Sequence, residues 1–408
     1  MPPKALIMIE GHRGNGLLYV RAAQSLGLHP ITLSTDPASY GYIAAERLDA
    51  IRVDTNNPDA LFRECSLLRG KYDIAGITGA LDSVYDTVAK LCSHFGLPGP
   101  DPSSIEQCRD KFAQRQLLAQ AGVPVPRFHL TTDATEVERA ATEIGLPVIL
   151  KPAVGSGSSG VRLCRSADEL AEHTTYLLGR TDIWPHSPKI LVEEFAQGRH
   201  YIAHTMGKEV VAIELAHFHH PPSFVFRQST FPAPLTDAQH ELISDISRNC
   251  LRVLGLGWGP ANIELRWTKI GPVVIEVNPR LAGSPDPQLI QLTYGIDLVT
   301  EHLKLVTGDE WNLSRRLSQT AAARYLVPDG EGTLEWISGD SRAADLPGII
   351  EVKMHVRPNT PIVRSGDYKD EIGHIIATSP SIAETEAILE KAVDLIRWSI
   401  TPFRNNDE

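Results

Sequence analysis

Two glutamates that the sequence places face to face offer the most specific chemistry in the chain. Apolar and polar residues alternate over 262–266 and again over 273–278, on either side of a turn centred on Ile270, and this pattern predicts a β-hairpin. The turn sets two pairs of polar side chains opposite each other on one face: Glu264 with Glu276, and Asn262 with Asn278. The apolar residues of both strands are expected on the other face.

A divalent cation would explain this pairing. Facing carboxylates repel each other unless a cation neutralises them, and the oxygen ligands of Glu264, Glu276 and Asn278 suit Mg²⁺ rather than zinc. The alternative is a solvated strand face that carries an accidental acidic pair. Arg280 continues the same face beyond Asn278, which favours the metal-site interpretation.

A second stretch has the character of a phosphate-binding loop. A buried strand ends at Lys151, and small residues follow before the next strand begins: Gly155, Ser156, Gly157, Ser158, Ser159 and Gly160. Such a loop lets backbone amides and hydroxyls wrap a triphosphate, whereas a flexible surface hairpin is the alternative. Because the lysine precedes the glycines and a strand follows them, a P-loop is excluded. Lys111 lies earlier, on a helix predicted over 104–121, where by itself it would be a solvent-facing charge.

The order of these motifs resembles that of the ATP-grasp superfamily of carboxylate–amine ligases. The resemblance covers about residues 110–297, half of the chain, and rests on four motifs: Lys111, Lys151 with its loop, a strand ending in Glu193-Glu194-Phe195, and Glu264 with Glu276-x-Asn278-x-Arg280. It implies an α/β chain with the ATP-grasp fold, in which an N-terminal parallel α/β lobe precedes two lobes that clasp ATP. It also implies Mg²⁺ on the two glutamates and Asn278, with Mn²⁺ able to substitute.

The resemblance further implies a role for each group. The two lysines and the small-residue loop would neutralise the triphosphate, and the strand with Glu194 and Phe195 would present backbone groups to adenine. The turn that follows this strand is called the hinge. Many members carry an acidic residue after the glycine of the hinge, and that residue holds the ribose. Here that position is His200, so the ribose contact would fall to His200 or Glu193. Arg280 would face the negative oxygen of a tetrahedral intermediate.

Four further residues are candidates for substrate binding. Arg13 lies between the first predicted strand and helix, in either a tight turn or a holder for a carboxylate or phosphate. His217 and His219 form a run with His220 that invites a zinc site. Strand geometry would aim His220 the other way and no cysteine lies near, so lining a substrate pocket or capping a strand is the preferred interpretation. Gly283 follows Arg280 in a loop near the metal face.

The elements that must position these residues fall into four predicted domains. Alternating strands and helices over 1–108 predict a parallel α/β domain. Residues 109–197 would form the small ATP-grasp lobe with its lid, and 198–310 the large lobe with the metal hairpin. Residues 311–408 would form a small α/β subdomain that ends in a helix at 381–400 and that covers the pocket or supports a homodimer.

Charge and cysteine content narrow the partners. With 408 residues, a net charge of −11 and 42% hydrophobic residues, the chain has the composition of a globular protein whose main partner is not a nucleic acid. Its five scattered cysteines include no C-x-x-C pair, which fits a reducing cytoplasm. No apolar run approaches the length of a bilayer span, so no membrane association is expected.

These features predict an ATP-dependent ligase that joins a small carboxylate to an amine through an acyl phosphate, giving ADP and phosphate. Over residues 259–297 the sequence most resembles one subgroup, the L-amino acid ligases that make dipeptides. Both substrates are therefore expected to be amino acids. Three alternatives stay open: ligation to a non-amino-acid amine, biotin-independent carboxylation as in purine-biosynthetic relatives, and a nucleotide-binding protein that has lost catalysis. The last is disfavoured because a mere binder need not keep both metal carboxylates together with Arg280.

Overall fold

The computed structural model describes residues 2–180 and 188–403, and its N-terminal part is a four-stranded parallel sheet with helices packed on it. The strands are β1 (Lys4–Ile9), β2 (His29–Ser34), β3 (Asp49–Arg52) and β4 (Asp73–Thr78), in the order β3-β2-β1-β4. The helices are α1 (Gly16–Ser25), α2 (Gly41–Ala45), α3 (Pro58–Arg69), α4 (Asp82–Phe95) and α5 (Pro102–Arg109). All three strand pairs are parallel, as the alternation of strands and helices predicted.

The single helix predicted over 104–121 is wrong, because the chain forms two helices there. At Asp110 the backbone is extended (φ −94°, ψ 107°), and its carboxylate accepts hydrogen bonds from the amides of Phe112 and Ala113. Asp110 is therefore the N-cap of a new helix, α6 (Lys111–Gln120). This break re-aims the chain so that Lys111 begins α6 as a buried residue instead of a solvent-facing one.

A small antiparallel sheet follows α6. Its strands are β5 (Phe128–Thr131), β6 (Val148–Pro152), β7 (Arg162–Cys164) and β8 (Ile190–Glu194), in the order β5-β8-β6-β7, with helices α7 (Ala134–Ile144) and α8 (Ala167–Gly179). Lys151 lies near the end of β6, and the predicted small-residue loop connects β6 to β7. The central strands bury nearly every residue, as the apolar run before Lys151 indicated.

The largest layer is an eight-stranded sheet. Its first strands are β9 (Arg199–Met206), β10 (Glu209–Phe218), β11 (Phe226–Phe231), β12 (Pro260–Thr268) and β13 (Gly271–Asn278), and its helices are α9 (Asp237–Val253), α10 (Asp286–Tyr294) and α11 (Leu298–Thr307). The predicted metal hairpin is β12 with β13, at one edge of this sheet. One apolar cluster contains Tyr19 and Val20 of α1 together with Leu289 of α10 and Leu303 of α11, so the N-terminal layer packs directly on this part of the chain.

The C-terminal part extends the same sheet. Its elements are β14 (Thr320–Leu326), β15 (Gly332–Ser338), α12 (Asp340–Ala344), β16 (Ile349–Met354), β17 (Pro361–Ile362), β18 (Gly373–Ser379), α13 (Ile382–Leu395) and β19 (Arg397–Thr401). The large sheet runs β13-β12-β9-β10-β11-β14-β18-β16, and β17-β15-β19 form a small second sheet. The division into four domains stays a prediction, and strands from the third and fourth predicted domains hydrogen-bond within one sheet.

The helix predicted over 381–400 is too long. It ends at Leu395, and Arg397–Thr401 forms a strand that pairs with β15. Aromatic and β-branched residues such as Trp398 and Ile400 favour that extended pairing over another helical turn. Within the described ranges no helix combines the length and apolar character that a bilayer crossing requires. All five cysteines are buried free thiols.

Candidate active site

A cleft between the small sheet and the hairpin edge of the large sheet collects most of the predicted site residues. It encloses about 960 Å³, part of it open to solvent. Fifteen of the predicted residues line it: Lys111, Lys151, Gly155, Ser156, Gly157, Ser158, Ser159, Glu193, Glu194, Phe195, His200, Glu264, Glu276, Asn278 and Arg280. Residues up to 169 positions apart in sequence therefore meet in one concave site of the size that small ligands occupy.

The hairpin has the predicted pairing, but it reaches that pairing through an irregularity. Glu264 pairs with Glu276 and Asn262 pairs with Asn278, as expected. Near the turn, however, Thr268 pairs with Gly271 and Leu265 with Val274, a register that would bring Glu264 opposite residue 275. One extra residue in β13, Ile275, forms a β-bulge that restores the pairing of the two glutamates. The expectation that Ile275 lies on the apolar face is wrong, since it lines the cleft.

The two glutamates have different surroundings. Glu276 Oε1 lies 3.1 Å from Lys111 Nζ, and the same ammonium donates to the carbonyl oxygen of Gly155. Glu264 Oε2 lies 3.4 Å from His200 Nε2, and its Oε1 accepts a 3.3 Å hydrogen bond from Asn278 Nδ2. Burial raises the pKa of Glu276 more than Lys111 lowers it, whereas His200 and the two lysines overcome the effect of burial and lower the pKa of Glu264. This dense oxygen donor set suits a divalent cation.

Lys151 is held by an ion-pair network that the sequence analysis did not find. Its Nζ lies 2.5 Å from Glu193 Oε2, and Arg115 Nε donates to Glu193 Oε1 at 2.8 Å. Arg115 is 0% exposed and also donates to the carbonyl oxygens of Val274 (3.0 Å) and Ile275 (2.5 Å). One guanidinium therefore ties β8 of the small sheet to the bulge in β13. The sequence contains one signal for the role of Arg115: it lies four positions after Lys111, which places both side chains on one face of α6.

The network bears on the ribose contact expected at Glu193 or His200. Both carboxylate oxygens of Glu193 are engaged by cations, and His200 lies beside Glu264 on the hairpin side of the cleft. Glu194 also lines the cleft, with its side chain 45% exposed and its Oε2 3.1 Å from Arg127 Nε. The geometry gives Glu193 a positioning role on Lys151 and leaves Glu194 as the hinge carboxylate open to solvent.

Arg280 is anchored from the N-terminal layer. Its Nη2 lies 2.7 Å from Asp82 Oδ2, at the start of α4, and its carbonyl oxygen accepts a 2.8 Å hydrogen bond from Asn262 Nδ2. Burial opposes the charge of Arg280, but Asp82 and the two hairpin glutamates raise its pKa further. Arg280 thus faces the cleft as a fixed cation. Asp82 was not predicted, because nothing in its own stretch of sequence marks it.

The remaining predicted residues lie outside the cleft lining. Arg13 is exposed, Gly283 is an exposed residue of the loop after Arg280, and Gly160 is absent from the lining although its neighbours Ser159 and Val161 belong to it. The strand geometry expected for the histidines is wrong, because β10 ends at Phe218 after a register shift and His219 lies beyond it. Among the described residues, neither His217 nor His219 belongs to a group of three potential metal ligands.

The small-residue loop is packed against the C-terminal part of the chain. The amide of Tyr368 donates to the carbonyl oxygen of Gly157 at 3.2 Å. Gly157 has φ +65°, and a Cβ there would lie 2.4 Å from Cδ1 of the Tyr368 ring. Only glycine combines this backbone conformation with so close a neighbour. The C-terminal region therefore contacts the loop that lines the cleft, and its expected role of covering the pocket stays a prediction.

Comparisons with known proteins agree with this architecture. Residues 110–314 match the family model described as carbamoyl-phosphate synthase L chain, ATP binding domain, and residues 324–401 match that of L-amino acid ligase C-terminal domain 2. The uncharacterized protein y4rH of Sinorhizobium fredii is 60% identical over 98% of this chain and 84% of its own length. The L-arginine-specific L-amino acid ligase of Bacillus subtilis is 21% identical over 72% of each chain.

A solved structure supports the fold across the whole chain. The crystal structure of L-amino acid ligase from Bacillus licheniformis superposes with a TM-score of 0.84 and 21% sequence identity, covering 98% of this chain and 100% of that one. The N-terminal layer, the two lobes around the cleft and the C-terminal strands therefore share one known arrangement.

Proposed function

The chain belongs to the ATP-grasp carboxylate–amine ligases, enzymes that form C–N bonds and among which it is similar to the L-amino acid ligases, and from that premise we propose that it joins two amino acids through an acyl phosphate. The carboxylate of one amino acid attacks the γ-phosphoryl group of ATP, and ADP leaves. The amine of the other then displaces phosphate from the acyl carbon. The products are a dipeptide, ADP and phosphate.

One observation carries the proposal: a single cleft joins the paired glutamates, two buried lysines and Arg280. Lys111 and Lys151 stand where they neutralise the triphosphate charge while the γ-phosphoryl group is transferred. Arg280, held by Asp82, stabilises the negative oxygen of the tetrahedral intermediate. The loop over 155–160 closes on the cleft and keeps water from the acyl phosphate, which water would hydrolyse.

The donor atoms around the hairpin fit a magnesium ion. Glu264, Glu276 and Asn278 present oxygen atoms on one face, and partial burial together with the facing Glu264 raises the pKa of Glu276. When bound there, Mg²⁺ supplies positive charge to the β- and γ-phosphates. Binding of Mn²⁺ at the same oxygens is part of this proposal. The site lies in a chain whose free cysteines fit the reducing cytoplasm, where we expect the enzyme to act.

Phosphate release with ATP and Mg²⁺, measured across all pairs of amino acids, tests the function directly. A productive pair should give ADP, phosphate and a new mass equal to the two amino acids minus water. Formation of AMP and pyrophosphate would contradict the acyl-phosphate route. Replacing Glu276 by Gln should abolish turnover while leaving the circular dichroism spectrum unchanged, and surviving activity would show that the metal assignment is wrong.

The alternatives make different predictions in the same assay. If phosphate is released only when a non-amino-acid amine is supplied, the acceptor differs from the one proposed. Bicarbonate-dependent release without an amide product would indicate carboxylation. ATP binding without turnover in any combination would leave a nucleotide-binding protein that has lost catalysis.

A further inference from the structure

The carboxyl ends of β1 and β4 meet where the parallel sheet changes its direction of winding. In the order β3-β2-β1-β4, the chain passes from β1 to β2 and β3 on one side, and β4 is then added on the other side. Open parallel sheets bind ligands in the crevice outside the strand ends at such a switch point. Here the crevice lies between the loop over 10–15, which follows β1, and the loop over 79–82, which follows β4.

Two contacts place this β1–β4 crevice next to Arg280. Asp82, at the end of the loop after β4, lies 2.7 Å from Arg280 Nη2. From the loop after β1, Asn15 Nδ2 donates a 2.9 Å hydrogen bond to the carbonyl oxygen of Ala282, two positions after Arg280. Arg280 also lines the ATP cleft, so it borders both spaces.

Glu10 holds the loop after β1 in place. It has φ +61°, a left-handed conformation that a residue other than glycine keeps only when its surroundings impose it. Its carboxylate accepts four hydrogen bonds of 2.6–2.9 Å, from Ser34 Oγ, the amide of Thr35, Tyr40 Oη and Thr55 Oγ1. Burial opposes the charge, but these hydrogen bonds lower the pKa of Glu10 overall. Glu10 therefore positions the loop and has no oxygen left for a substrate.

His12 presents a fixed hydrogen-bond donor from this loop. Its Nδ1 accepts hydrogen bonds from the amides of Gly14 (3.1 Å) and Asn15 (2.9 Å). A ring nitrogen that accepts hydrogen bonds carries no proton, so the proton of the neutral imidazole is on Nε2. Burial and the charge of Arg280 lower the pKa of His12 to about 4, against the opposing effect of Asp82. The ring is thus neutral at neutral pH, with Nε2–H outward.

This N–H group has no partner in the described parts of the chain. Within residues 2–180 and 188–403, His12 Nε2 makes no hydrogen bond, and it is not among the atoms sealed from solvent. The next residue, Arg13, is exposed and forms no ion pair within the same ranges. The amides of Gly14 and Asn15 are already used by the imidazole. An unpaired donor beside an unpaired cation suits a small carboxylate.

We propose that His12 Nε2–H, with the charge of Arg13, binds the α-carboxylate of the amine substrate, the amino acid whose amine attacks the acyl phosphate. This inference rests on the proposed function and makes it more specific, because the amine substrate must be an amino acid with a free carboxylate. With that carboxylate at His12, the amine one carbon away is directed toward Arg280 and the acyl carbon.

Two features distinguish this site from the other candidates. The carboxylate of the first amino acid must meet the γ-phosphoryl group on the cleft side of Arg280, so the β1–β4 crevice is left for the second. Nor is His12 the base that takes the proton of the amine, because Nε2 carries its own proton and Nδ1 is occupied. A tetrahedral oxyanion such as sulfate is the competing occupant, but it would need more N–H groups than the loop leaves free.

The carboxamide of the amine substrate isolates the carboxylate, because it keeps the attacking amine and the side chain. We expect the wild type to use the amino acid with a kcat/KM at least 10-fold above that for its carboxamide. His12→Asn keeps an oxygen for the Gly14 and Asn15 amides but lacks the distal N–H. It should lower kcat/KM for the amino acid by about 10- to 100-fold, mainly through KM, and that for the carboxamide by less than about 3-fold.

Two further variants sharpen the test. Arg13→Gln should lower kcat/KM for the amino acid by about 3- to 10-fold, and 0.5 M NaCl should reduce the difference from the wild type, since an exposed charge is screened by salt. His29→Asn is the matched control: His29 begins β2 in the same layer and pairs with Asp49 at 2.7 Å on the surface. This variant should keep the wild-type preference for the amino acid.

Hydroxylamine reports the first half-reaction separately, since it traps the acyl phosphate as a hydroxamate without any amine substrate. Four outcomes would overturn the assignment: equal use of the amino acid and its carboxamide by the wild type, an unchanged preference in His12→Asn, an equal loss of hydroxamate and dipeptide formation in His12→Asn, and sulfate that competes with the amine substrate more strongly than acetate does. In each case the wild type still makes dipeptide. If the wild type forms neither hydroxamate nor dipeptide from any acid, the proposed function itself fails, so the two failures are distinguishable.

Discussion

The buried guanidinium of Arg115 gives the sharpest test of how the cleft is built. Replacing it by Met keeps an apolar stem but, among the described residues, leaves Lys151 as the one cation on Glu193, and it removes the donor to the Val274 and Ile275 carbonyls. Breaking a buried ion pair costs about 3–5 kcal/mol, and each unsatisfied carbonyl adds about 1–3 kcal/mol, although these contributions are not additive. We expect a loss of about 3–5 kcal/mol in the free energy of unfolding, measured by urea denaturation.

The same substitution should weaken ATP binding. With Arg115 absent, Lys151 is the remaining cation on Glu193 and is drawn away from the triphosphate, so KM for ATP should rise by about tenfold, equivalent to about 1.4 kcal/mol. Arg115→Lys keeps the charge but not the planar fork of donors, so its stability and its KM for ATP should lie between those of the wild type and Arg115→Met. Arg127→Met, which removes the exposed partner of the adjacent Glu194, should cost less than about 1 kcal/mol. Equal losses from Arg115→Met and Arg127→Met, with KM unchanged, would refute this reasoning.

Three further predictions concern the small-residue loop, the buried carboxylate of Glu214 and Asp82, which anchors Arg280. Gly157→Ala forces a side chain into the left-handed backbone region against Tyr368, at a cost of about 1–2 kcal/mol. Phosphate release should therefore fall about 5- to 30-fold. Adding Tyr368→Ala should restore the part of this loss that is due to the contact, but not the part that is due to backbone strain. Burial raises the pKa of Glu214 from 4.5 to about 8, so between these values the folded state holds a proton that the unfolded state has lost. The free energy of unfolding should therefore fall as pH rises from about 4.5 to about 8. Urea denaturation across that window should show the fall in the wild type and a shallower one in Glu214→Gln; identical slopes would contradict the shift. Asp82→Asn should lower kcat about tenfold, because Arg280 loses its anchor, while the ATP-induced change in Tm stays as in the wild type; an unchanged kcat would show that the anchor is dispensable.

The parts of the site that could be predicted from sequence are those carried by local patterns. Alternation over the hairpin was enough to place Glu264 and Glu276 on one face, and a lysine before small residues marked the loop that lines the cleft. Asp110 is a local signal for the break between α5 and α6, since an aspartate before a helical run is a common N-cap. The prediction of one helix there fails for a local reason.

The parts that could not be predicted depend on long-range packing. Arg115 and Glu193 are 78 positions apart, and Asp82 and Arg280 are 198 apart, so no local pattern connects either pair. The bulge at Ile275 also leaves no mark in the period-two pattern. It changes the register between the two strands by one residue, and the alternation within either strand does not report that register. The predicted pairing of the glutamates is confirmed, but the pairing that the turn alone imposes is one residue out of step.

The pairing of β11 with β14 has a consequence for any shortened form of the chain. The first matched family region ends at 314 and the second begins at 324. Strand β11, within the first region, pairs through four consecutive residues with β14, which begins between the two, from Gln228 with Arg324 to Phe231 with Ala321. A fragment ending near residue 314 would leave β11 as an unprotected sheet edge, with open amides and carbonyls next to the apolar ring of Phe231. Such an edge invites pairing between copies, so the ATP-binding region cut at that point should aggregate, even though it contains every predicted ligand of the nucleotide.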